Sequence, residues 1–131
     1  MREILFRGKR MDNGEWVYGY YVHIGPVSCQ RTYIIPEYAS AIYVNEVYPS
    51  TVGQYTGLND KHCKRIFEGD VAKVLQGKDK DIAYVGFENG AFMLYPKTGN
   101  IYERTLWSYW YNDWDVEVIG NITDNPELLE K

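Results

Sequence analysis

The sequence predicts an all-β protein, a small barrel or sandwich of short antiparallel hairpins that could include an SH3-like barrel portion. Three observations carry this. Thirteen Tyr, four Trp and four Phe make 16% of the 131 residues aromatic, and such side chains pack well on pleated surfaces. Turn signals recur at short intervals along the chain. Apolar residues scarcely ever recur at helical spacing, so helix is confined to short turns.

Taken in order, Asn13-Gly14 separates Ile4-Leu5-Phe6 from Trp16-Val17-Tyr18 and reads as a hairpin turn. Tyr33-Ile34-Ile35 is strand-like and stops at Pro36, and Ala41-Ile42-Tyr43-Val44 is rich in β-formers. Asn45-Glu46-Val47 is too short for a helix. Glu68-Gly69-Asp70 is a loop signal ahead of the strand-like Val71-Ala72-Lys73-Val74-Leu75. Gln76-Gly77-Lys78-Asp79 and Lys97-Thr98-Gly99-Asn100 mark further loops. Asn89-Gly90, between Ala83–Phe87 and Ala91–Leu94, is the strongest local signal, because Asn-Gly supplies the two positive φ angles of a type I′ turn. Later, Trp114, Val116, Val118 and Ile122 share one parity while Asp113, Asp115 and Glu117 take the other. That is a strand with an apolar face inward and an acidic face toward water. Asp124-Asn125-Pro126-Glu127-Leu128-Leu129 starts at most a C-terminal turn.

Length allows one domain, or two small β lobes at roughly residues 1–50 and 51–131. No apolar run approaches the ~20 residues of a membrane helix, and the N-terminus has no stretch resembling a secretion signal. The expectation is a protein that stays in the cytoplasm where it is made, with Cys29 and Cys63 as free thiols. A net charge of −4 and the lack of a basic run disfavour a nucleic-acid backbone as partner.

Three ordered stretches carry a family resemblance. Gly53-Gln54-Tyr55-Thr56-Gly57-Leu58 is followed by an Asp-containing turn and by Ile66-Phe67-Glu68-Gly69-Asp70. Arg2-Glu3-Ile4-Leu5-Phe6-Arg7-Gly8 opens the chain. Val118-Ile119-Gly120-Asn121-Ile122 and Asn125-Pro126-Glu127-Leu128-Leu129 close it. Together they resemble the YopX family, small proteins encoded by phages and prophages of bacteria such as the Firmicutes. The match spans the chain, with residues 23–48 and 96–113 as unmatched inserts. One departure stands out: the family pattern has Asn-Gly after Asp-Lys, and this chain has His62-Cys63. The resemblance implies a mostly β fold and a phage-derived cytoplasmic protein. It implies no catalytic residues.

Candidate sites weigh against simpler readings. The carboxylates of Glu68-Gly69-Asp70 would suit a metal or acid–base chemistry, but a turn opening the next strand accounts for them better. His23, Cys29, His62 and Cys63 are the soft metal ligands, yet neither pair has the usual two-residue spacing, and no metal or other cofactor is expected. A Cys–His nucleophile lacks an orienting third group. Tyr18, Tyr20 and Tyr21 form one aromatic cluster. A second runs through Tyr102, Trp107, Tyr109, Trp110, Tyr111 and Trp114; as a strand it places Trp107, Tyr109 and Tyr111 on one face and Leu106 and Trp110 on the other. At least one of those faces must be covered, by this chain or another. The candidate interaction surface is therefore Tyr102, Trp107, Tyr109, Trp110 and Tyr111. The acidic C-terminal region would suit a DNA mimic, although a solvated strand face explains it more simply. The leading expectation is a non-enzymatic binding or assembly module, homo-oligomeric and open to a host or phage protein partner. The alternative is a nucleic-acid-associated or DNA-mimic module of phage replication or host takeover. Neither nucleic acid nor a membrane is an expected partner.

Overall fold

The computed structural model describes residues 2–26, 30–37, 44–112 and 114–130, which leaves Cys29, Ala41-Ile42-Tyr43 and Asp113 outside the described residues. The chain forms two compact units, residues 1–55 and 56–131. The architecture is mainly β, in antiparallel sheets, with one short α-helix among the described residues.

In the first unit β1 (Phe6–Lys9), β2 (Trp16–Ile24), β3 (Arg31–Pro36) and β4 (Asn45–Glu46) lie in the order β4-β3-β2-β1. The first residues of β5 (Gly53–Asn59) pair with β1, Gly53 opposite Arg7 and Gln54 opposite Phe6. Asn45-Glu46 is thus a strand, too short on its own and made by Glu46 lying opposite Tyr33. The core is small: Val17, Ile34 and Val47, with Phe6 and Val52 packed against it. The hairpin at Asn13-Gly14 is present, but as a longer loop than the two-residue turn. Only Gly14 has positive φ, at +72°, and Arg10 and Glu15 close the loop. The Asn13 side chain accepts from the Glu15 backbone N–H at 2.9 Å.

The second unit begins in β5, whose later residues pair with β6 (Arg65–Phe67). A meander follows: β7 (Asp70–Gln76), β8 (Asp79–Glu88) and β9 (Ala91–Pro96). Then come β10 (Arg104–Thr105), the helix α1 (Leu106–Tyr111) and β11 (Asp115–Asn121). Sheet order is β10-β9-β8-β7-β11, so the last strand returns to the edge opposite β10 and α1 carries the chain across. The sheet is open, with β10 and β11 at its edges; the barrel alternative is not formed among the described residues.

The register explains the core. Ala72 lies opposite Ala83 and Val118, and Val74 opposite Val116, so Ala72, Val74, Ala83, Val85, Leu94 and Val116 share one face. Leu106 and Tyr109 of α1, one turn apart, bury themselves against that face with Ile101. Burial of these side chains is the main stabilising term of the unit, at roughly 1.5–3 kcal/mol for each large one.

The expected strand through the aromatic run is therefore corrected to a helix at Leu106–Tyr111, only Arg104–Thr105 being strand. Thr105 caps it, its side chain accepting from the Ser108 backbone N–H at 3.3 Å. A path from one sheet edge to the other also needs an element lying on the face, not another hydrogen-bonded strand. The alternation of the last strand holds for Val116, which is buried, and for Trp114 and Val118, which pack against the core, and breaks after Val118, where the register shifts before Gly120. This bulge leaves Ile122 outside the strand and exposed, contrary to its expected inward position. The C-terminal signal forms a short 3-10 turn, Pro126–Leu129.

Asn89-Gly90 makes the two-residue turn its sequence demands. Glu88 pairs with Ala91, and both turn residues have positive φ, +53° and +81°. A Cβ on Gly90 would meet nothing within 4 Å, so only its backbone conformation resists substitution. Gly90→Val should then cost about 1 kcal/mol or more, read as a lowered midpoint in chemical denaturation. An unchanged midpoint would show that this turn does not constrain the meander.

Candidate interaction surface

The second unit is organised by three buried aspartates, Asp60, Asp70 and Asp81, each of which accepts from backbone N–H groups. Asp60 sits in the β5–β6 turn. One carboxylate oxygen, Oδ1, accepts from the N–H of His62 at 2.8 Å and of Lys64 at 2.9 Å. The other, Oδ2, accepts from the N–H of Val118 at 3.0 Å, and the Lys61 N–H donates to the Val116 carbonyl at 3.0 Å. The turn is thereby fastened along the open edge of β11. Burial pushes the Asp60 carboxyl up, but the Val118, Lys64 and His62 N–H groups outweigh it and hold it below the usual carboxylate range. Asp81 behaves alike: burial raises it, while the Thr98 hydroxyl at 2.7 Å and the N–H groups of Ile82, Thr98 and Asn100 bring it down. Asp70 accepts from the Phe67 N–H at 2.8 Å, which closes the Glu68-Gly69 turn between β6 and β7. The carboxylates at this motif thus occupy the turn that the sequence favours.

In the β5–β6 turn Cys63 takes the position of the family pattern's glycine and has φ +63°, in the left-handed region that favours glycine. The turn keeps the glycine conformation without the glycine. Cys63 is an exposed thiol. His62 faces Glu117 at 3.4 Å, and His23 contacts Thr32 Oγ1 at 3.0 Å and Gln30 Oε1 at 2.7 Å. Among the described residues no three of His, Cys, Asp or Glu converge to hold a metal ion.

The expected aromatic surface divides in two. Tyr109 belongs to the core: it is fully buried, packs edge-on to Trp114 at 5.1 Å, and burial pushes its phenol pKa up. Its expected place on the surface is therefore corrected. Helical rather than strand geometry turns it away from Trp107 and Tyr111. Trp107, Trp110, Tyr111 and Tyr102 remain 55%, 58%, 67% and 74% exposed. Trp107 and Tyr111, four residues apart on α1, stack at 4.9 Å. The guanidinium of Arg104 lies 5.9 Å over Tyr102 and 5.7 Å from the Trp114 ring.

Trp110 stands beside a cleft of about 390 Å³, between Leu58 and Ile66 of the β5–β6 hairpin, Leu106 of α1, and Trp114 and Val116. Asp60, Lys61 and Asp115 complete its wall. Sequence reading did not find it, because its two sides lie about fifty residues apart and are joined by long-range contacts of the Asp60 carboxylate and the Lys61 N–H. The signal in the sequence was the polar Asn59-Asp60 turn. In the first unit the second cluster is also at the surface: Tyr18, Tyr20 and Tyr21 are exposed, with Tyr21 stacked 6.1 Å from His23.

The second unit is thus a mainly β unit that carries a short aromatic helix across its sheet. The comparisons narrow the class. The family described as YopX protein matches residues 5–130, and the chain belongs to this family. Among solved structures it is similar to protein EF1440 from Enterococcus faecalis, with a TM-score of 0.56 and 21% identity over 99% of this chain and 100% of that one. That likeness shows the fold. No curated protein is a significant match. Among the described residues no helix is long and apolar enough to cross a membrane.

Two outcomes follow. Asp60→Asn should lower stability by on the order of 2 kcal/mol at neutral pH, because the amide nitrogen turns a donor toward backbone N–H groups. Asp60 and Asp81 titrate below their unfolded values. Their contribution is complete above about pH 4 and is lost as pH falls through the folded values. Urea midpoints at pH 7, 5 and 3 should show wild-type stability dropping at the lowest pH, and the gap to Asp60→Asn narrowing there. Cys63→Gly should raise stability by about 0.5–1 kcal/mol in reducing buffer, since relief of the left-handed strain exceeds the entropy cost of glycine. A lowered midpoint would mean the thiol makes a contact that matters.

Proposed function

We propose that this chain is a non-enzymatic accessory protein of phage or prophage origin that works by binding, and that it self-associates through the aromatic surface of α1. The observation that carries this is the exposure of Trp107, Trp110 and Tyr111 on a helix of only six residues, with Tyr102 beside them. Tryptophan and tyrosine are costly to leave in water and are enriched at interfaces. Two further observations support binding over catalysis. The buried carboxylates of the second unit are each engaged by backbone N–H groups, and in Asp60 and Asp81 this holds the carboxyl below its usual range, away from the raised proton affinity a general acid needs. The open cleft beside Trp110 is lined largely by core residues, and of the charged groups at its wall Asp60 is tied to backbone N–H groups and Lys61 lies 3.8 Å from Glu117.

Membership of this family supports the reading of a phage or prophage origin, and with it a place of action in the bacterial host cytoplasm. A net charge of −4 favours a protein partner over a nucleic-acid backbone. Sedimentation velocity across the micromolar range tests self-association: a homo-oligomer is expected, shifting toward monomer on Trp107→Ser. A monomeric mass throughout would overturn the assembly reading.

A further inference from the structure

The geometry points to the cleft beside α1 as a docking site for an arginine side chain presented by an extended segment of a partner polypeptide. This deepens the binding reading but is independent of self-association. The ligand must have an apolar stem and a cationic head. Leu58, Ile66, Leu106 and Val116 make an apolar lining that a hydrocarbon stem would cover. The indole of Trp110 stands over half exposed at its side. Two carboxylates border the same space: Asp115, which is exposed, and Asp60, held ionised by its backbone donors. The cleft's own cation, Lys61, lies 3.8 Å from Glu117, so its charge is balanced outside the lining.

An indole of the cleft wall already receives a guanidinium from outside the lining. Arg104 lies against Tyr102 and Trp114, the latter a wall of the cleft. Trp110 offers a second indole to a second guanidinium. Arginine suits the site better than lysine, since its planar head can stack on an indole while its N–H groups reach a carboxylate. The volume of about 390 Å³ lies in the range of small-ligand clefts and takes one long side chain with its flanking backbone. Net negative charge makes the encounter with a basic segment favourable.

The test uses the full chain and a capped heptapeptide, acetyl-Gly-Ser-Val-Arg-Val-Ser-Gly-amide, alongside its citrulline counterpart, which keeps shape and loses charge. Two-dimensional NMR of the tryptophan indole N–H signals reports on the cleft, and sedimentation of the same samples reports on assembly. The arginine peptide should shift the Trp110 signal saturably, with half-saturation at about 1 mM or tighter. Citrulline should weaken binding about tenfold, the combined loss of the cation–π and carboxylate contacts. Asp115→Asn should weaken the arginine peptide about threefold and leave the citrulline peptide unaffected. Trp110→Leu, at an exposed position, should remove binding of the arginine peptide while the remaining indole signals keep their folded dispersion. Equal binding of the two peptides, or no saturable shift at Trp110, overturns the proposal. A monomeric mass together with saturable arginine binding would leave it standing and remove only the assembly reading.

Discussion

The arrangement of the second unit depends on one carboxylate. Asp60 gathers the N–H groups of its own turn with one oxygen and reaches the Val118 N–H with the other. The Lys61 N–H to Val116 carbonyl bond forms the neighbouring rung. An edge strand exposes unpaired backbone groups that invite foreign strands, and here a side chain and a turn cover part of that edge. The same contact fixes the distance between the β5–β6 hairpin and the start of β11. That distance is the width of the cleft. Stability, edge protection and the shape of the surface therefore converge on one residue whose chemistry is that of an acceptor.

The helix follows from the sheet order. Once β11 must pair with β7, the chain has to travel from the β10 edge to the opposite one over the apolar face. Six residues suffice because only Leu106 and Tyr109 need burying. The turn is too short to hide its remaining aromatics, and Trp107, Trp110 and Tyr111 stand outward as a geometric consequence. An aromatic surface thus arises from a topological requirement, with a cleft on one side and a stacked pair on the other.

The parts legible in the sequence were those determined by neighbouring residues. Asn89-Gly90 carries its turn in two residues, and the Val116 alternation reports a local face. The segment Leu106–Tyr111 misled because tyrosine and tryptophan favour strands, whereas the edge-to-edge path and the Thr105 cap decided for helix. The inward position expected for Ile122 failed for a related reason: a bulge shifts parity, and nothing in the alternation announces it. Asp60 looked like an ordinary turn residue. Its decisive partner lies 58 positions further on, beyond the reach of any local pattern. His62-Cys63 departed from the family's Asn-Gly while the backbone retained the glycine conformation.

The pairing of β11 with β7 also sets the order in which this unit can come into being. The strands β7, β8 and β9 are joined by tight turns and can zip together as they leave the ribosome. Their apolar face then waits, because its cover and its last strand are encoded near the end of the chain. Closing that long loop carries an entropic cost that only the final contacts repay. During synthesis the unfinished sheet presents Val74, Val85 and Leu94 to water, and it becomes a finished core only when Leu106, Tyr109 and Val116 arrive. Loss of β11 alone would thus uncover the interior of the whole unit.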